Sequence, residues 1–437
     1  MDLTPLRVSR DFRALIGGQL VSVLGTQLTA VAVPYEVYQI TRSSLDVGLV
    51  SLAQLVPLIV GSLWGGTLID AVDRRKLLMV VEALGALLTA GLAVNADTAR
   101  TLWPLFVFPA GTAALSGMDS SARNAMIPNL IGLRLIPASN ALFQSLFQMG
   151  SIVGPALAGL LLAGAGIRFV YWPNVASFAI SALCVCFISP QPPPAGATTR
   201  PGLKSIAEGL AFVRRSQQVQ GAYLIDVNAM VFGMPRALFP ALAATRFGGG
   251  PTTVGLLYAA PGVGALIGAV TTGWVGRIRR QGRAVIIAVI VWGAAIAGFG
   301  IAPWLGAALA LLAVAGWADV ISAVFRNTIV QFAGPDEMRG RLMGVQMAVV
   351  TGGPRVGDLE AGAVATAFGN TASVVSGGLA CIAGALLCAR LLPGFRNQRV
   401  PDSVPVAAAA TAEVKAEAEA EAATAAAEVS DPVGGRD

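Results

Sequence analysis

The sequence predicts an all-α membrane protein, with twelve transmembrane helices arranged as two six-helix direct repeats. Three observations carry this reading. Of 437 residues, 55% are hydrophobic and only 12% charged, with a mean hydropathy of +0.70, whereas soluble domains are about a quarter charged. Nearly uncharged runs recur along most of the length, many close to the ~20 residues a helix needs to cross a ~30 Å hydrocarbon core. The chain also repeats itself at an almost constant offset. Barrel strands of about ten residues would be too short to explain such runs.

The runs place spans at 14–40, 45–69, 77–95, 102–122, 138–164, 168–189, 219–243, 252–275, 284–302, 304–325, 342–368 and 370–389. Gly and Pro scattered through them are tolerated in membrane helices, where neighbouring groups re-satisfy freed backbone. Residues 47–76, "VGLVSLAQLVPLIVGSLWGGTLIDAVDRRK", overlay 254–283 at an offset of 207. Arg123-Asn124 match Arg326-Asn327, and "GPALAG" at 154–159 matches "GDLEAG" at 357–362, both at an offset of 203. The same offset divides the uncharged run Ala284–Ala318 at Pro303-Trp304. Six spans per repeat make the halves run in the same sense, an architecture whose sites lie near mid-depth between the halves.

Basic residues crowd into alternate loops, for example Arg7, Arg10, Arg13, Arg74, Arg75, Lys76, Arg277, Arg279, Arg280 and Arg283. The opposite loops hold Arg42, Arg100, Arg168 and Arg246. The positive-inside rule therefore predicts both termini in the cytoplasm. The +6 net charge is a topology signal and not a nucleic-acid footprint, since it sits in short loops beside helix ends. Ala30-Val31-Ala32 imitates a signal-peptide cleavage site, but the apolar segment is too long and continues beyond it.

The expected domains are residues 1–190, a first six-helix half; 191–217, a linker; 218–396, a second half; and 397–437, a low-complexity tail. The linker opens with the Pro-rich "QPPPAGATTRPG" and continues as "LKSIAEGLAFVRR", which puts Leu203, Ile206, Leu210 and Val213 on one helical face suited to the membrane surface. The Ala/Glu-rich tail has no apolar face.

Histidine is absent, which removes HExxH zinc sites, Ser-His-Asp triads and histidine proton relays. Cys184, Cys186, Cys381 and Cys388 fall inside spans and read as packing residues. No metal or cofactor is expected. The nucleotide-binding GxxxxGK[ST] is missing, so an ion gradient is the expected energy source and carboxylates its carriers.

A mid-span charge costs roughly 2.5 to 3.5 kcal/mol on insertion scales and is a functional candidate by default. In "GGPRVGDLEAG", residues 352–362, Pro354 is expected to bend or unwind span eleven, while Arg355 and Asp358, three apart, are placed to pair. Glu360 faces elsewhere and, unpaired, leads Asp358 and Asp226 as candidate proton carrier. Asp119 and Arg123 are an i, i+4 pair, and Asp319 lies near the same membrane side as Asp226. Gln27, Tyr35, Glu36, Gln144, Gln148, Asn228, Tyr258 and Arg355 are candidate substrate contacts, since polar and aromatic linings suit a bulky, partly polar cargo. Gln19, Gln54 and Tyr38 complete the polar and aromatic set.

Twelve spans in two direct repeats, together with "GGTLIDAVDRRKLL" after span two, resemble the major facilitator superfamily. The signature of that superfamily in this loop is matched at Gly66, Asp70, Arg74 and Arg75, whereas Ala71 and Asp73 depart from it. The resemblance implies a gating latch, with Asp70 set against a helix N-terminus of the other half. Arg277 stands at the second-half position of Asp70, so that copy lacks the latch carboxylate. "LKSIAEGLAFVRR", "VGLLYAAPGVGALIGAVTTG" and "GPDEMRGRLMGV" resemble the exporter branch that includes enterobactin exporters and multidrug efflux pumps. This implies alternating-access export of a siderophore-like or drug-like molecule in exchange for protons, by a monomer that is not an enzyme. Arg outnumbering Lys 27 to 3, with abundant Ala and Gly, points to a GC-rich bacterium and its inner (cell) membrane.

Overall fold

The computed structural model describes residues 2–192, 211–333 and 338–399, apart from the side chains of Thr67, Asp70, Gly276, Arg277, Arg339, Gly340 and Met343. Most of the expected surface helix and the Ala/Glu-rich tail lie outside the described residues. Among those described there is no β-strand.

The helices follow the sequence runs. The first half comprises α1 (Arg10–Thr41), α2 in two pieces (Ser44–Ala53 and Leu55–Ala71), α3 (Arg74–Asp97), α4 (Trp103–Ile131), α5 (Ile136–Gly164) and α6 (Arg168–Cys186). The second comprises α7 in two pieces (Gln217–Phe232 and Phe239–Thr245), α8 (Pro251–Thr271), α9 (Gln281–Ile301), α10 (Leu305–Ala333), α11 (Arg339–Phe368) and α12 (Asn370–Leu391). Among the described residues, ten of these segments are both long and apolar enough to cross a membrane. The other two, α4 with 29 residues and α11 with 30, are as long but more polar. Both turn polar side chains to the space between the halves, Thr112 and Ser116 from α4 and Arg355 and Asp358 from α11.

Helix starts and breaks follow local chemistry. Ser9, Ser43, Asp73 and Ser216 cap the starts of α1, α2, α3 and α7 with side-chain oxygens. Pro57 has no N–H to offer the carbonyl of Ala53, and α2 is interrupted at Gln54.

The expected unwinding of α11 at Pro354 is not found: α11 is one continuous helix. Arg355 donates from its guanidinium to the carbonyl of Thr351, 2.5 Å away, next to the Val350 carbonyl that Pro354 leaves without its helical donor. The mid-depth break lies instead in α7, at Gly233-Met234-Pro235, followed by a 3-10 turn over Arg236–Leu238. There the indole of Trp292 donates to the carbonyl of Gly233 at 2.9 Å.

The two halves meet through backbone at the end of the bundle away from the chain termini. A Cβ at Gly48 of α2 would sit 2.4 Å from the carbonyl oxygen of Asp358 in α11, and one at Gly255 of α8 would sit 2.5 Å from that of Pro155 in α5. Toward the terminus-bearing end, a Cβ at Gly66 of α2, Gly273 after α8 or Gly344 of α11 would meet no described atom within 4 Å. Among the described residues, these interface helices therefore touch at the far end and splay toward the termini.

Candidate substrate cavity

Between the halves lies a cavity of about 490 Å³, within the range of sites for drug-sized molecules. Its wall draws on both repeats. Aromatic faces come from Phe147, Phe178, Phe239, Tyr258 and Trp292, and charged groups from Arg236, Arg355, Asp319 and Asp358. Phe239 and Tyr258 meet edge to face with centroids 5.0 Å apart, which fixes the tyrosine ring while its hydroxyl donates to the carbonyl of Arg236 at 3.0 Å.

The α7 break places two of these groups. It aims the exposed Arg236 side chain at the cavity, with no ion pair to it among the described residues. It also frees the N–H of Ala237, which donates to Asp358 at 3.0 Å, as a carboxylate at a helix N-terminus favours. Ser51 of α2 donates to the other oxygen of Asp358 at 2.5 Å. The expected Arg355–Asp358 ion pair is thus not formed: Asp358 is held by a hydroxyl and a backbone N–H, and Arg355 is turned to Thr351, its Nε buried with no hydrogen-bond partner.

Of the other sequence candidates, Gln27 and Gln148 also line the cavity, and Gln148 crosses the halves to donate to the carbonyl of Gly262 at 2.9 Å. Gln54 lines it as well. Tyr35, Glu36, Gln144, Asn228, Asp226 and Glu360 lie outside the wall. Glu36 is buried in the first half, where Tyr171 donates to it at 2.6 Å. Asn228 donates to the carbonyl of Cys381 at 2.8 Å, Gln144 is exposed, and Tyr35 packs partly buried against the core. Glu360 is half-buried and makes no hydrogen bond or ion pair among the described residues. It faces away because it lies about 200° around the helix from Asp358.

Two buried arginines at equivalent positions of the repeats each face two carboxylates. Arg326 of α10 lies 2.9 Å from Asp226 of α7 and 4.0 Å from Asp319. Arg123 of α4 binds both oxygens of Asp119 through Nε, at 2.9 Å each, and contacts Glu82 of α3 closely through an NH2 group. The Asp119–Arg123 pair was expected, whereas Glu82 and Arg236 were not singled out. Glu82 is the sole charge between Lys76 and Asp97, and Arg236 the sole one between Asp226 and Arg246. Either isolation is a usable signal.

Among the residues expected to gate, Arg74 donates to the carbonyl of Ala125 in α4 at 3.0 Å and Arg75 to that of Cys186 in α6 at 2.6 Å. Both tie α3 to helix ends of its own half. The backbone of Asp70 continues α2, and its side chain lies outside the described residues.

A family model described as "Transmembrane secretion effector" matches residues 1–422. The chain belongs to this family of the major facilitator superfamily. Among its relatives are the enterobactin exporter of Citrobacter koseri, 28% identical over 410 residues, with 93% of this chain and 98% of that protein covered. The enterobactin exporter of Shigella boydii is 28% identical over 406 residues, with 92% and 97% covered. A solved bacterial homologue of the iron transporter ferroportin, in its inward-facing state, superposes with a TM-score of 0.65 at 16% identity, covering 89% of this chain and 99% of that one. A bacterial homologue of the lysosomal transporter Spinster, inward-facing and unoccupied, gives 0.66 at 14% identity, with 89% and 98% covered. The chain is therefore a multi-pass membrane transporter of small molecules, not an enzyme, and shares the major facilitator fold.

Proposed function

We propose that the chain is a proton-coupled exporter of a bulky, anionic, aromatic-rich molecule of the siderophore type, working by alternating access in a bacterial inner membrane as a monomer with both termini cytoplasmic. The observation that carries the cargo class is the cavity wall. Arg236, exposed and without an ion-pair partner among the described residues, offers charge-assisted donors to an anionic oxygen, with Arg355 in the same wall, and Phe147 and Tyr258 offer ring surface. The splayed terminus-bearing end and the touching far end are what a cytoplasm-open state awaiting cargo requires. The curated relatives carry the name enterobactin exporter, and enterobactin is the first cargo to try.

A second reading, efflux of cationic drugs, is favoured by Asp319 and Asp358 in the same wall. One experiment separates them. Expression in an enterobactin-producing bacterium deleted for its own exporter should restore enterobactin to the medium. Unrestored secretion together with new resistance to cationic dyes would replace the siderophore reading with the drug reading.

A further inference from the structure

Beside the central cavity, the first half contains a chamber of about 270 Å³ enclosed by α1, α3, α4, α5 and α6. Its wall includes Gln19, Ser22, Ser120, Asp119 and Glu82. Thr26, Gln27, Thr112, Ser116, Phe147 and Phe178 belong to the walls of both spaces, so the chamber adjoins the cargo site across them. It is roomy and polar enough to hold water.

The cluster at its base is out of charge balance. Glu82 is 1% exposed and Arg123 3% exposed. Arg123 is shared between Asp119 and Glu82, and it also donates to Ser181 at 3.1 Å. The Ser181 hydroxyl in turn donates to Glu82 Oε1 at 2.6 Å. The second oxygen, Glu82 Oε2, is buried with no hydrogen-bond partner. Arg123 and Asp119 are the charged groups that face Glu82 among the described residues. From α1 come only Gln19, Ser22 and the carbonyl of Leu15, which accepts from Arg123 at 3.5 Å. One cation against two carboxylates leaves an uncompensated buried negative charge, which is unfavourable unless one carboxyl is neutral.

We infer that Glu82 is a proton-binding site of this transporter, taking the proton on Oε2 and exchanging it with the central cavity through the side chamber. The step is a plain protonation: a proton from cavity water bonds to Oε2, the Asp119–Arg123–Glu82 cluster becomes neutral, and release reverses it. Cargo seated against Gln27 and Phe147 covers the wall the two spaces share, so cargo and proton exchange at this site alternate. The inference rests on the proton-coupled reading above and names a group that takes part in the coupling.

Infrared difference titration of the purified full chain tests the site without any cargo. The wild type should show the carbonyl stretch of a buried carboxylic acid that comes and goes with pH. Glu82→Gln should remove it. Asp119→Asn should remove it too, because one carboxylate then balances Arg123 and the proton is no longer needed; a merely structural Glu82 gives no such effect. Glu82→Asp, which keeps a carboxyl, should retain the band even if Glu82→Gln fails to fold. In proteoliposomes, Glu82→Gln should lose enterobactin accumulation driven by a proton gradient while keeping enterobactin exchange across the membrane. A band unchanged in both Glu82→Gln and Asp119→Asn, or wild-type accumulation by Glu82→Gln, would overturn the inference. If wild-type vesicles ignore a proton gradient, the coupled reading fails, and the infrared result still decides whether Glu82 binds the proton.

Discussion

Ser51 donates to Asp358 at 2.5 Å across the boundary between the two halves, and the same carboxylate receives the N–H of Ala237 from the α7 break. One side chain thereby ties α2 of the first half to α7 and α11 of the second, next to the far-end contacts. Asp358→Ala should release this tie and raise the population open at the far end. Spin labels at Thr41→Cys and Phe368→Cys, on a cysteine-free background, should report a longer distance in the mutant; each 1.4 kcal/mol lost is about a tenfold change in the ratio of states. An unchanged distance distribution would show that backbone contacts alone hold the end shut.

The superfamily resemblance assigns the corresponding task on the terminus-bearing side to Asp70. If its loop latches that face when closed, Asp70→Ala should favour the state open toward the termini. Accelerated maleimide modification of a cysteine at Gly344 would report it, and unaltered labelling would count against the latch.

The cavity arginines differ in what their loss should do. Arg236 is exposed, so Arg236→Ala should leave thermal stability unchanged while weakening enterobactin binding by about tenfold to a hundredfold, the worth of a hydrogen bond to a charged group. Arg355 also supports the backbone beside Pro354, so Arg355→Ala should lower both binding and the unfolding temperature. Titration calorimetry with enterobactin and thermal unfolding in detergent separate the two effects.

Arg326 binds Asp226 at 2.9 Å with both side chains nearly inaccessible. Removing one member of such a pair strands the other, at a cost of about 3–5 kcal/mol. Arg326→Ala should therefore unfold well below the wild type, and pairing it with Asp226→Asn should recover part of the loss. If the double variant is no more stable than Arg326→Ala, the stranded carboxylate is not the cause.

The spans were legible in the sequence because each is an apolar run bounded by loop charges, and the internal repeat set the cut between α9 and α10. The position of the break was not. Pro354 carries a strong local signal, yet Arg355 serves the neighbouring carbonyl and α11 continues. Gly233-Met234-Pro235 lies inside an equally apolar run, and its break depends on partners from α9 and α11, Trp292 and Asp358, that no local pattern reveals. The pairing of charges failed for a related reason. Spacing along α11 put Arg355 beside Asp358, whereas the bonds Asp358 makes come from α2 and the α7 break. Arg123 and Asp119, neighbours on one helix, were found from spacing alone, and Glu82 escaped because it reaches them from α3. Glu360 ranked first for want of a local partner, which did not reveal that its helix face turns from the cavity.

Transport by the purified wild-type chain is the most direct test of proton-driven export. Liposomes bearing the protein with its terminus-bearing face outward, an acidic lumen and enterobactin outside should accumulate enterobactin as the lumen turns alkaline. Dissipating the gradient with a protonophore should abolish accumulation. Accumulation that needs the opposite gradient, or that proceeds without any, would contradict the account.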